Sequence, residues 1–584
     1  MNRMTKSPLV LLVMLIAFIL LTGCGLGSAE AGRKPSPDWS RGISLSSDVG
    51  GTVGMVVTGE AEAVHFVWST ALDDQDHIHY LQLNDEAKTV IDLDLELPEA
   101  RVRSPRLLLA GDGNLHLLWA RRVSGSKYWE LWHSLLDEEG QLLGPATQIS
   151  EPDTKVGSFV ATQSIDGTGY VVWEEDNSGS LFGALISETG TGDPIRLVES
   201  GSIPGIASDK DGDLHLAWFE PFVLRYANFT QDNLSTTEGE VVSVLDDLSG
   251  NTIDGPAINL AEGQVYIAWS TFANTGLESG SGWTEYVSFE ADSPEASPST
   301  RLWLSPDEDQ LYDPYDGSYS LTVLADPVTS PLLTTNIILE PNAGGPRGSE
   351  LAMVVSAMQE KRLDEFVQMV LVLFEDGQFK GYQLAGKTES LSREGFLFTD
   401  ATGNLHLTWR EGTGTKVYYA TTEPNIRSTL DRLGRDDLAS VILGGGLDAV
   451  TGAMFFPLSL MWFIPGFLIL GIWKIRRDDE TMSDRVSQFL VVVSIIAYQL
   501  SKALFMPSII SYVPFSAWLD IPEEMKASLR FIVPVIVMVI GIVVAEVVRR
   551  RRPSTSALVY FLIACGVDAI FTLGVYGVGY LGYI

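Results

Sequence analysis

The heptapeptide Gly113-Asn114-Leu115-His116-Leu117-Leu118-Trp119 returns almost unchanged as Gly403-Asn404-Leu405-His406-Leu407-Thr408-Trp409. A chain that copies one short apolar strand, opened by a Gly-containing turn and closed on Trp, is built from repeats. Measured on the closing residue (Trp68, Trp119, Trp173, Trp218, Trp269, Trp409), the intervals are 51, 54, 45, 51 and 140 residues. The long interval contains Leu351-Ala352-Met353-Val354-Val355, the same strand with Val355 in the Trp place, which divides it into 86 and 54. Seven units result, one of them degenerate and carrying an insertion. A period near 50 with several strands per unit predicts a seven-bladed β-propeller rather than a helical solenoid.

Within the second unit, Arg106–Ala110 reads as the inner strand, Asn114–Ala120 as the second, Tyr128–Leu135 as the third and Ala146–Ile149 as the outer one. Leu115, Leu117 and Trp119 share one face of the second strand while His116 and Leu118 share the other. Apolar groups on both faces suit a blade held between two neighbours. After Lys416–Ala420 no outer strand follows, yet Trp39–Leu45 stands alone before the first unit. The amino-terminal strand is therefore expected to complete the last blade and leave no open edge. Pro306–Gly345, with Asp307, Asp309, Asp313 and Asp316 among Tyr and Pro, departs from the pattern and is expected to form either a binding loop over one face of the ring or a plain disordered insertion.

Charge is concentrated in the repeats: Gly25–Leu430 holds 62 of the 75 acidic residues and 24 of the 39 basic ones. Such a surface repels nucleic acid. At the amino terminus, Arg3 and Lys6 precede an apolar run from Pro8 to Leu21, the form of a secretory signal. Leu21-Thr22-Gly23-Cys24 resembles the lipobox of bacterial lipoproteins, which implies a lipid-modified Cys24. Cys24 and Cys565 are the two cysteines, so no disulfide framework supports the repeats.

Four apolar spans follow, Ala453–Trp473, Val486–Phe505, Phe531–Val548 and Ser556–Tyr576, each close to the ~20 residues needed to cross a bilayer. Lys474, Arg476, Arg477 and Arg485 lie between the first two, and Arg549 to Arg552 between the last two. The positive-inside rule places both connections in the cytoplasm and the repeats outside. The expected organisation is a signal peptide (1–24), a tether (25–37), an extracytoplasmic propeller (38–430), a linker or interfacial segment (431–452) and a four-helix transmembrane domain (453–584). Asp568 falls near mid-bilayer, where a charge costs at least ~3 kcal/mol. Lys502, in another outward-running span, reaches a similar depth. The two can pair; otherwise Lys502 reaches for the interface and Asp568 is protonated or bonded to a neighbouring helix.

His65, His116, His215 and His406 recur at one repeat position. Whole blades separate them, too far to share one ion at ~2 Å, so packing is expected and no metal is assigned. Asp209-Lys210-Asp211-Gly212-Asp213 has the alternating carboxylates of a calcium loop, but its Gly is out of place and a strand follows at once. No cofactor and no catalytic residue is assigned. The repeats, across roughly Asp38–Thr422, resemble the propeller of bacterial sialidases and related BNR-repeat proteins. That family's Asp-box spaces Asp and Trp by five residues, whereas Asp112 and Trp119 are seven apart. Neither an arginine triad nor a Tyr/Glu pair can be carried over, and nothing in their spacing singles out Arg106, Arg225 or Arg410. The leading expectation is a multi-pass protein of a bacterial cell membrane, its propeller binding or sensing a glycan, a peptide or another envelope protein. A sialidase-like glycoside hydrolase, and an accessory subunit of a membrane transport or assembly system, are the alternatives.

Overall fold

In the computed structural model, residues 38–581 are described apart from short turns and the longer stretches 305–337, 433–453 and 506–522. The chain divides into a unit ending at Arg432 and a helical unit running from 433 to the end.

Seven antiparallel sheets follow one another along the first unit. In the second, Arg101–Leu109, Leu115–Arg122, Glu130–Leu136 and Thr147–Gln148 lie side by side. The third carries two short outer strands, Gly190–Thr191 and Ile195–Val198, both on the same partner. The degenerate sixth unit is a full blade of Ile338–Arg347, Glu350–Lys361, Asp364–Glu375 and Gln378–Leu384. Residues 338–345, expected in a loop, belong instead to its inner strand, because Pro and Gly here sit at two register breaks that excuse their missing ladder bonds. The rest of that proposed loop lies outside the described residues.

The seventh blade takes its outer strand from the amino end: Ile43–Ser46 pairs with Lys416–Thr421. Residues 39–42 are not part of that strand but are pinned beside it. Ser40 N donates to Thr421 O at 2.8 Å, Thr421 N donates back to Ser40 Oγ at 3.0 Å, and Trp39 is buried. Gly42 is required there, since a Cβ would lie 2.7 Å from the Trp409 ring. An unforeseen helix, Pro424–Leu430, follows the last strand. Its cap is Glu423, whose carboxylate accepts from the amides of Asn425 and Ile426, and its buried Ile426 enters the core between the last and first blades.

Each hydrophobic core of the ring belongs to two neighbouring blades. Val56, Tyr80 and Leu136 join blades one and two; Leu118, Val171 and Trp173 join two and three; Phe66 and Tyr419 join one and seven. The closing Trp residues, and Val355 in their place, are all buried.

Three residues before the closing position stand His65, His116, Tyr170, His215, Tyr266 and His406, all buried. Nδ1 of His65, His215 and His406 lies 2.6, 2.6 and 2.8 Å from the hydroxyls of Tyr80, Tyr226 and Tyr419, on the third strand of the same blade. His116 meets His133 at 3.0 Å instead. Three of the tyrosines reach the following blade. Tyr80 Oη donates to Glu138 O at 2.9 Å and Tyr170 Oη to Gly212 O at 2.8 Å, while Tyr266 Oη accepts from Gly377 N at 2.9 Å. The imidazoles are thus spent on packing. The Asp209 carboxylate is spent likewise, accepting from the amides of Asp211 and Asp213 in a hairpin turn.

In the helical unit, four helices are long and apolar enough to cross a membrane: Phe456–Arg476, Arg485–Phe505, Phe531–Arg551 and Ala557–Gly574. The third belongs to a longer helix beginning at Glu523, with Glu523–Lys526 as its first turn. Thr481 and Ser556 form an antiparallel bridge, which sets the turn after the first helix beside the turn after the third.

Burial pushes His65, His116 and His133 down to about 4, with His116 adding to the effect on His133. The folded form of each group therefore binds a proton less readily than the unfolded form. The stability this represents is complete above an unfolded pKa near 6.5 and is lost as pH falls through about 4, at roughly 1.4 kcal/mol per unit of difference. Thermal unfolding of the propeller, followed by circular dichroism, is expected to shift to lower temperature between pH 6.5 and 4. Replacing His116 and His133 together by Gln should flatten that dependence.

Candidate functional site

The propeller's most distinctive local feature is a break repeated on its inner strands. Pairing with the second strand skips between Arg103 and Arg106, Val156 and Phe159, Ser202 and Gly205, Asp254 and Ala257, Leu339 and Asn342, and Arg393 and Phe396. Five of these bulges contain a residue with positive φ: Ser104, Ile203, Gly255, Glu340 and Glu394. Only Gly adopts that conformation freely; for Ile and Glu it costs of order 1–3 kcal/mol, and such strain gathers where a side chain must be re-aimed.

At this level the ring opens into a cavity of about 420 Å³. Asp254 of the fifth blade, Glu340 of the sixth, Glu394 of the seventh and Arg106 of the second line it together. Its walls include Ile253, Phe272, Leu339 and Phe396. A second cavity of about 690 Å³ runs along the axis, lined by inner strands of all seven blades, and shares Arg106, Pro341, Asn342 and Phe396 with the mouth.

The four charged groups are not equivalent. Glu340 Oε2 accepts from Ser356 Oγ at 2.8 Å and from Glu394 N at 2.6 Å. Glu394 Oε2 is paired with Arg410 at 2.6 Å. Arg106 donates to Thr52 Oγ1 at 3.2 Å and lies over the Phe396 ring at 5.5 Å. Among the described residues, neither Arg106 nor Asp254 belongs to an ion pair. Burial within the walls pushes the Asp254 carboxyl up from its ordinary range; Glu340, and after it Glu394, push the same way against a bond from the Gly255 amide. Asp254 as a residue is nonetheless exposed to solvent. Burial draws Arg106 down to about 10, with Glu394 opposing, so it stays charged at neutral pH.

Sequence reasoning missed the three acids, although a signal was present. Asp254, Glu340 and Glu394 each stand 15 residues before the closing residue of their unit, Trp269, Val355 and Trp409. Aligning the units on that residue puts an acid in the same column of three consecutive blades.

The residues singled out from the sequence lie elsewhere. Cys24 is outside the described residues. Lys502 and Asp568 are brought together in the helical unit, both buried, with Lys502 Nζ 2.7 Å from Asp568 Oδ2. Lys502 Nζ also donates to Thr572 Oγ1 at 3.0 Å, and Tyr498 Oη donates to Asp568 Oδ2 at 2.8 Å. Lys502 and Tyr498 share one face of their helix, Arg485–Phe505, with Ser487, Val491, Ser494 and Ser501. These are the buried positions, at spacings of three and four, so the polar stripe is the packed one. The two charges are met within the cluster, and both side chains are buried.

Removing one partner of such a pair leaves a lone buried charge and costs about 3–5 kcal/mol, whereas replacing both can be neutral. Lys502→Met or Asp568→Asn is therefore expected to lower the unfolding temperature in detergent sharply. The double variant Lys502→Met/Asp568→Leu should regain most of the loss. A double variant that stays as unstable as the singles would show that the pair does more than balance charge.

No known family matches the chain, and no curated protein matches it. Solved propellers are similar to it in fold. The polysaccharide lyase Uly1 aligns over 63% of this chain and 89% of its own, with 10% identity and a TM-score of 0.39. The Penicillium chrysogenum α-L-arabinanase aligns over 55% and 93%, with 13% identity and a TM-score of 0.32. The WD40 domain of Toxoplasma gondii coronin aligns over 68% and 88%, with 10% identity and a TM-score of 0.36. They include enzymes and a WD40 domain alike.

Proposed function

We propose that the chain is a membrane-held binding protein of a bacterial cell envelope, in which the propeller stands outside the membrane and takes its ligand at the channel mouth. The convergence of Asp254, Glu340, Glu394 and Arg106 from four blades on one cavity carries this reading. Gathering three carboxylates raises the energy of the free protein, and two of them sit on strained backbone. A bound partner that satisfies the cluster would recover that energy, as functional sites commonly do. The lipid-modified Cys24 and the four long apolar helices would moor the ring at both ends.

The proposed sidedness draws support from the helix ends. Lys474 and Arg476 close the first helix, Arg485 opens the second, and Arg549 to Arg551 close the third. The Thr481–Ser556 bridge brings the two turns together at one end of the bundle. A single basic end is what the positive-inside rule requires of a cytoplasmic face.

In a Cys565→Ser background, a cysteine introduced at Ser126 in the propeller is expected to react with a membrane-impermeant maleimide in intact cells. One introduced at Ser483, in the turn between the first two helices, should react only after permeabilisation. Equal reactivity of the two sites would overturn the assignment.

A second reading, glycoside hydrolysis, is favoured by one observation: Asp254 is pushed toward its protonated form beside carboxylates that hold hydrogen bonds. Acid–base hydrolysis needs one carboxyl group held toward its protonated form near a second carboxylate. Under it, the purified chain releases reducing ends from a polysaccharide panel, and Asp254→Asn and Glu394→Gln each reduce the rate at least ~100-fold. Ligand binding without release in the wild-type chain would reject it.

A further inference from the structure

We propose that the mouth takes a small zwitterion, its carboxylate held by Arg106 and its ammonium by Asp254, which rests on the reading of the mouth as the ligand site. Two opposite charges line one cavity and do not meet. Arg106 comes from the second blade and Asp254 from the fifth, and among the described residues each lacks an ionic partner. Flexible surface charges so placed would close on one another. Here the ring holds their strands apart, each fixed by its bulge, so both stay available to a third body.

The remaining contacts set what each end accepts. One guanidinium N–H of Arg106 is used by Thr52 and the Phe396 ring lies under the group. The other N–H groups form the planar fork that matches a carboxylate. Asp254 is exposed at the cavity, and among the described residues its carboxyl accepts from the Gly255 amide alone, leaving room for an ammonium. Glu340 and Glu394 each have one carboxylate oxygen engaged, by Ser356 and the Glu394 amide and by Arg410, and both add fixed negative charge beside Asp254. That charge favours an ammonium on the fifth- to seventh-blade side and repels a plain anion. Arg106 in turn repels a plain cation. Ile253, Phe272 and Leu339 add apolar wall to the same cavity, which suits a short aliphatic spacer. A cavity of about 420 Å³ is within the usual range for a small ligand.

The test is calorimetric titration of the full chain in detergent with ω-amino acids from glycine to 6-aminohexanoate, beside the alkylamine and the alkyl carboxylate of each length. One spacer length is expected to bind at least tenfold more tightly than either single-charge analogue. Arg106→Gln should reduce that ligand to the level of the amine, and Asp254→Asn to the level of the carboxylate. Arg106→Lys, which keeps the charge without the fork, should fall between. Unfolding temperatures of the variants separate lost contacts from lost structure. Amines that bind as tightly as the zwitterions, an affinity indifferent to Arg106→Gln, or no binding anywhere in the series each overturn the proposal. A sugar or peptide that binds where the series fails would overturn the ligand class while leaving the mouth as a binding site.

Discussion

The structure depends on a blade that cannot stand alone. Its second strand is apolar on both faces, with Leu115, Leu117 and Trp119 turned one way and His116 and Leu118 the other, and all of them buried. A sheet of this kind needs cover on each side. The observed cores meet that need by being shared, each built from two adjacent blades. Unshared, the first and last blades would each expose one such face, and closure into a ring removes both exposures at once. The hydrogen bonds from Tyr80, Tyr170 and Tyr266 into the next blade then fix the stacking that apolar contact alone would leave free to slide.

A ring held this firmly at its middle can carry irregularity at its mouth. The inner strands break at one level in six of the seven blades, and the residues there take backbone conformations that a regular ladder would not permit. Strain of this sort persists only where the surroundings over-determine it. The shared cores supply that over-determination. They also explain how Arg106 and Asp254 can line the same cavity without collapsing together: neither strand is free to move toward the other.

Much of the fold was legible because Trp is large and rare, and so marks a buried position clearly. Six of them marked the period, and the one blade that lost its Trp kept an apolar residue, Val355, in register. The orphan strand near Trp39 could be assigned because an unpaired edge is costly, which leaves few places for it to go. The mouth was not legible by the same means. Bulges depend on backbone dihedrals that composition does not record, and Asp254, Glu340 and Glu394 were hidden among 62 acids of the repeat region. Only their common distance from the closing residue distinguished them. The helix Pro424–Leu430 escaped notice because seven residues are too few to display a period. Its signal was local instead, a capping Glu423 followed by Pro.

The seam of the ring has a temporal side as well. Ile43–Ser46 is among the earliest parts of the propeller to be synthesised, yet its partner Lys416–Thr421 is among the last. Until the ribosome has delivered that partner, the first strand has nowhere to dock and the nascent disc stays a horseshoe with two adhesive ends. Blades one to six can stack in the order they emerge, but the final zipper joins opposite extremes of the polypeptide. Premature termination anywhere before Lys416 would therefore yield an open arc with bare strand edges rather than a smaller circle, a form suited to clumping with its own kind or to removal by proteases.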